Sequence, residues 1–130
     1  MKKRGFTLVE LIAIIVIIAI IALITTPQVI KIIENGRKNT FLDSVNGIVR
    51  VVQLDSSKSD YESRTYTVEN GIIKDESGNT LKSEGGSNEN GTISIDSNGD
   101  MSYAIHNDKW CAVLEGSSKE RVVSEYNGSC

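Results

Sequence analysis

Three groups of residues in this 130-residue chain carry side chains able to do chemistry. Glu10 is the only ionisable residue between Arg4 and Lys31, and in the run from Phe6 to Ile24 the only other polar side chain is Thr7. A carboxylate within an apolar segment costs about 3 kcal/mol, so it calls for a cationic partner and marks a functional position. Cys111 and Cys130 are the only cysteines, and they either pair or remain thiols. Asp96-Ser97-Asn98-Gly99-Asp100 begins like a calcium loop, with oxygen side chains at alternate positions. Its glycine falls one ligand too early, and a loop counted from Asp96 ends at Asn107 where a bidentate Glu is needed, so it reads as a β-turn. His106 with two cysteines does not complete a closed four-ligand site, and it is expected as a solvent-facing strand residue. No serine-centred nucleophile motif, phosphate-binding glycine loop or paired acid and base occurs. No catalytic residue, cofactor or metal is therefore expected.

The elements that hold these residues divide the chain unevenly. Leu11 to Ile24 is unbroken Ile, Leu, Val and Ala. A helix without a polar face must be covered on all sides, and this chain is too short to build a core around it, which leaves lipid. Leu8 to Ile24 would cover roughly 26 Å, close to the thickness of a bilayer core. Lys2, Lys3 and Arg4 favour a cytoplasmic N-terminus with the remainder outside. Thr25-Thr26-Pro27-Gln28 offers no small-residue cleavage site after the run, which argues against an ordinary secretory signal. Pro27 removes a helical hydrogen bond and should bend or break the helix, the more so after two β-branched threonines.

Past Pro27 the pattern becomes one-sided. Ile30, Ile33, Phe41, Val45, Ile48, Val49 and Val52 recur at helical spacing, opposite Lys31, Glu34, Arg37, Lys38, Asp43 and Arg50. One helix from Phe6 to about Leu54 is expected, and Asn35-Gly36 and Asn46-Gly47 keep open a break near Gly36 into two helices. The Ser- and Asp-rich Asp55 to Asp60 ends it. Arg64 to Glu69 and Ile72 to Asp75 flank the hairpin signal Asn70-Gly71, Glu84 to Gly91 reads as a polar loop, and Thr92 to Asp96, Met101 to His106 and Lys109 to Glu115 read as further strands. The expectation is a three- or four-stranded antiparallel meander, with Trp110 as a packing residue. Asn90-Gly91-Thr92 and Asn127-Gly128-Ser129 fit a glycosylation acceptor pattern but are read as turns. The chain is acidic overall, with 14 basic against 17 acidic residues. Such a balance disfavours direct nucleic-acid binding.

Lys2-Lys3-Arg4-Gly5-Phe6-Thr7-Leu8-Val9-Glu10-Leu11 resembles the prepilin signal of type IV pilins and type II secretion pseudopilins. The resemblance implies an α+β pilin-like fold: a long N-terminal helix, its apolar half transmembrane, packed against a small antiparallel sheet head. It implies a leader at residues 1–5, a membrane and filament-core segment at 6–27, an amphipathic half at 28–54 and a head at 55–130 closed by a Cys111–Cys130 loop. It further implies cleavage between Gly5 and Phe6 by a prepilin peptidase, N-methylation of Phe6, and pairing of Glu10 with the Phe6 amine of a neighbouring subunit. The Pro27 region, from about Ala19, would extend in the filament. Partners would be further copies of the chain, other pilin-like subunits, the assembly machinery and, before assembly, the membrane. The chain would then be a subunit of a cell-surface filament, or a pseudopilin of a secretion or competence machine. A membrane-anchored binding domain that never polymerises explains the anchor and a disulfide, but leaves Glu10 and Gly5-Phe6 without a purpose.

Overall fold

A computed structural model of the chain describes residues 5–58, 62–82, 88–116, 118 and 120–130. The basic leader residues Lys2, Lys3 and Arg4, the end of the Asp55–Asp60 stretch and the first half of the Glu84–Gly91 loop lie outside the described residues. One helix, α1 (Leu8–Ser57), precedes seven strands: β1 (Arg64–Glu69), β2 (Ile72–Lys74), β3 (Thr80–Lys82), β4 (Asn90–Ile95), β5 (Met101–His106), β6 (Trp110–Leu114) and β7 (Val122–Glu125). The chain divides into two compact units, Met1–Arg37 and Lys38–Cys130.

In the first unit the described residues from Leu8 are helical. α1 continues through Pro27, so this residue does not break the helix in the single chain. The hydroxyls of Thr25 and Thr26 donate to the carbonyls of Ile21 and Ala22, one turn back. These bonds satisfy both hydroxyls inside the helix, which a lipid environment requires and which eases the local bend that proline introduces. Gly36 is likewise helical, and the two-helix alternative does not hold. Ile30 and Ile33, expected on the packed stripe, are 52% and 48% exposed.

In the second unit the buried part of the stripe starts at Phe41 and recurs at Val45, Ile48 and Val52, the i, i+4, i+7 and i+11 positions of one helix face. These four form one core with Tyr66 and Val68 of β1, Ile73 of β2, Ile93 and Ile95 of β4, Tyr103 and Ile105 of β5 and Ala112 of β6. Strand alternation supplies the other half: in β1 and β4 every second residue near the C-terminal end is buried while its neighbours are exposed. All strand pairs are antiparallel, in the order β3-β2-β1-β4-β5-β6-β7. The sheet is thus wider than the expected meander and differently connected. β1 pairs on one side with β2 and on the other with β4, so two meanders meet at a strand pair that no short turn joins.

Turn chemistry sets the registers. Asn70 and Gly71 take φ of 50° and 77°, the two left-handed positions of a type I′ hairpin. Asp96 and Asp75 build matching turns. Asp96 Oδ1 accepts from the amides of Asn98 and Asp100, and Gly99 donates to the Asp96 carbonyl. Asp75 Oδ1 accepts from the amide of Asn79, and Gly78 donates to the Asp75 carbonyl. The Asp96 carboxylate is occupied as a turn acceptor. β3 was outside the sequence expectation, yet Asp75-Glu76-Ser77-Gly78-Asn79 repeats the Asp-x-x-Gly spacing of the Asp96 turn and could have revealed it.

Cys111 and Cys130 form a disulfide with Cα atoms 5.8 Å apart. The bond ties β6 to the C-terminus, which β7 has brought alongside by pairing Cys111 opposite Ser124. Arg121, at the start of that return, donates to Asn46 Oδ1 of α1. His106 is not simply solvent-facing: it is half-buried and stacks on Tyr126 with ring centroids 4.1 Å apart. Trp110 packs against the core, with Lys38 Nζ and Lys109 Nζ 5.6 and 5.7 Å from its ring centroid. Both are cation–π distances.

Three expectations follow. Gly91 sits where an added Cβ would lie 2.0 Å from the Ala104 carbonyl oxygen. Gly91→Ala should therefore cost about 3 kcal/mol by forcing β4 from β5, read as a lowered urea midpoint; an unchanged midpoint would contradict the pairing. Cys130→Ser should cost about 3 kcal/mol of head stability, and a reducing agent should destabilise the wild-type head to the same level. Tyr66 donates to Asp55 Oδ2 at 2.8 Å, and burial first, then this hydrogen bond, raise its phenol above the usual value. A raised native pKa means that the folded state holds its proton longer than the unfolded one. The associated stability is complete below about pH 10 and is lost as pH climbs through the native value. Spectrophotometric titration should show one of the four tyrosines ionising late, and Tyr66→Phe should remove that phase.

Candidate functional site

The chemistry-bearing N-terminal residues sit at the first turn of α1. Thr7 is the N-cap: its carbonyl accepts the first helical bond from the Leu11 amide, 3.1 Å. Its hydroxyl accepts from the Glu10 amide at 3.3 Å, while Glu10 Oε2 accepts from the Thr7 amide at 3.1 Å. This reciprocal pair is a capping box, which satisfies two helix-end donors at once and places a negative charge at the positive end of the helix dipole. The sequence reading missed it, although Thr7-x-x-Glu10 ahead of an apolar run is its recognised spacing. Glu10 had been accounted for by a partner in another subunit, and that account left its local role unexamined.

The box fixes where Glu10 points. Its carboxylate folds back toward the backbone amide of Thr7, one residue beyond Phe6. Phe6 is 80% exposed, and Gly5 has no atom within 4 Å of where a Cβ would lie. The structure therefore brings Gly5, Phe6 and Glu10 into one stretch of less than two turns. It leaves the Gly5–Phe6 peptide outside the helix.

From Leu11 to Ile24 the helix has no covered face. The large apolar residues from Leu11 to Ile24 are between 44% and 79% exposed. The helix is long and apolar enough to cross a membrane, and none of the qualifying segment is buried. Cys111 and Cys130 form their disulfide in the second unit, and Pro27 lies within the helix. Among the described residues, no group of three or more His, Cys, Asp or Glu side chains converges to hold a metal ion. Two polar clefts of the second unit include Arg64, whose guanidinium lies 3.9 Å from Asp55 Oδ2, and Glu62, Asp75 and Glu76 help to line one of them.

Residues 1–26 match the family model of the prokaryotic N-terminal methylation motif. No curated protein and no solved structure matches the chain. The match takes in the capping box and most of the apolar run, which the geometry above places at the start of α1. With its long apolar helix and seven-stranded antiparallel sheet, the chain has a pilin-like α+β architecture and carries the methylation motif that is the hallmark of type IV pilin and pseudopilin prepilins.

Proposed function

We propose that the chain is a structural subunit of a type IV pilus-like extracellular filament. It would be cut between Gly5 and Phe6 by a prepilin peptidase, methylated on the Phe6 amine, held in the membrane by α1 and then polymerised. The observation that carries this reading is a single acid, Glu10, at the head of an apolar run, Leu11 to Ile24, that is exposed in every direction. Exposed hydrocarbon of that extent demands either lipid or other copies of the same helix, and a filament core supplies the second.

Register comes from charge. Apolar helices slide past one another with little preference, whereas a carboxylate in hydrocarbon must meet a cation or stay unpaired at a cost of about 3 kcal/mol. The amine created at Phe6 provides that cation on each subunit, and methylation adds bulk while keeping the charge. Release of Glu10 from its bond to the Thr7 amide would free the carboxylate for the Phe6 amine of a neighbouring copy. In the filament, the stretch from about Ala19 to Pro27 would extend, since Pro27 already lacks one backbone donor and the Thr25 and Thr26 hydroxyls can follow the freed carbonyls.

Two measurements test the proposal. The protein recovered from cells with a prepilin peptidase should have an intact mass that starts at methylated Phe6. A start at Met1, or a cut beyond Ile24, would overturn the reading. Glu10→Val should still be processed and membrane-inserted but should give no surface filaments, and normal filaments from this variant would refute the role assigned to the carboxylate.

A further inference from the structure

Asparagine is followed by glycine six times, at Asn35, Asn46, Asn70, Asn90, Asn98 and Asn127. The dipeptide has its own chemistry, because glycine lacks a Cβ and its backbone nitrogen can reach the side-chain carbonyl carbon of the preceding asparagine. The attack requires a nitrogen that is not already donating a hydrogen bond and a backbone free to leave regular dihedral angles.

The six are equivalent as sequence, and the fold makes them unequal. Gly36 and Gly47 lie inside α1, where each amide belongs to the helical bond pattern. The Gly71 amide donates to the Glu89 carbonyl at 2.9 Å, and the Gly99 amide to the Asp96 carbonyl at 3.1 Å. Gly91 is held in β4 between Val68 of β1 and Ile105 of β5. The Asn90 side chain before it is occupied too, with Oδ1 accepting from the Asn70 amide and Nδ2 donating to the Asn88 carbonyl.

Asn127-Gly128 is different in each respect. Both residues are exposed and lie beyond β7, outside any helix or strand. The Gly128 amide donates to no group among the described residues. Gly128 takes a φ of 102°, and no atom lies within 4 Å of where its Cβ would be. Ser129 Oγ donates to Asn127 Oδ1 at 3.4 Å, which draws electron density from the carbonyl that is to be attacked.

We propose that Asn127 is a site of spontaneous self-modification, the one Asn-Gly pair that the native fold leaves open to deamidation. The Gly128 nitrogen bonds to Asn127 Cγ and gives up its proton. The bond from Cγ to the side-chain nitrogen breaks, and that nitrogen departs with the proton as ammonia, leaving a five-membered imide. A water molecule then opens the imide at either carbonyl. One opening gives aspartate, and the other gives isoaspartate, whose main chain runs through the former side-chain carbon. Either product adds a negative charge to the exposed segment after Glu125. Isoaspartate also lengthens the backbone between Tyr126, stacked on His106, and Cys130, bonded to Cys111. The inference does not depend on filament assembly.

The test incubates the full-length chain in detergent at neutral pH for days, then reduces and digests it with trypsin. Cleavage after Arg121 releases Val122–Cys130, the peptide in which a gain of one mass unit and labelling by isoaspartyl methyltransferase are read. That peptide should convert roughly tenfold faster than those carrying the other five pairs, as expected when local structure protects them. A parallel incubation in denaturant should erase the difference. An unconverted Val122–Cys130 peptide, equal or faster conversion at another pair in the native chain, or a preference that survives denaturation would each overturn the proposal.

Discussion

Between Leu11 and Ile24 α1 shows hydrocarbon on every side, and this single constraint reaches into the rest of the molecule. Water cannot solvate such a surface cheaply, and none of the described residues buries it. Such a helix is suited to being completed from outside, by lipid or, in the filament proposed above, by like helices. The polar groups that flank this segment are tied locally: the threonine hydroxyls to backbone carbonyls a turn back, and Glu10 to its cap. The head solves a different problem, since it meets water and needs only one buried face per strand.

The capping box shows how one carboxylate can serve two states. Glu10 satisfies a backbone donor at the helix start, so its charge is not orphaned. An amine made at Phe6 by the proposed cleavage would lie only one residue from that same donor and would be a stronger partner, being fully charged. A carboxylate held by a single amide bond at 3.1 Å is restrained without being locked. Assembly on this view is an exchange of partners, and the cost of moving Glu10 is offset by the bond it forms next.

Much of this could be read from the residues, and the failures share a cause. The long helix was legible because its apolar run and following stripe are longer than any accident of composition. β1, β5 and the Asn70-Gly71 hairpin were legible because they depend on alternation and on local turn chemistry. β3 and β7 were not, being three and four residues long with too little alternation to stand out. The β1–β4 pairing was invisible for another reason: its partners are joined by no short turn, and non-local pairing is chosen by the shape of the core. Ile30 and Ile33 continue the helical stripe in sequence, yet burial starts only at Phe41. A hydrophobic period states which residues share a face and not where the covering sheet begins. The Thr7–Glu10 box and the His106–Tyr126 stack were overlooked because each residue had already been given a simpler role.

The disulfide also decides how the head bears tension. β7 is an edge strand of four residues with a neighbour on one side only, the kind of element that peels away one hydrogen bond at a time when its free end is pulled. Cys130, which follows β7, is bolted to Cys111 in β6, one strand further in. A force applied at Cys130 therefore bypasses β7 and loads β6, which is flanked by β5 and β7 and must shear several bonds together. In a fibre tugged at its surface, the covalent link turns the weakest zipper of the head into a rivet.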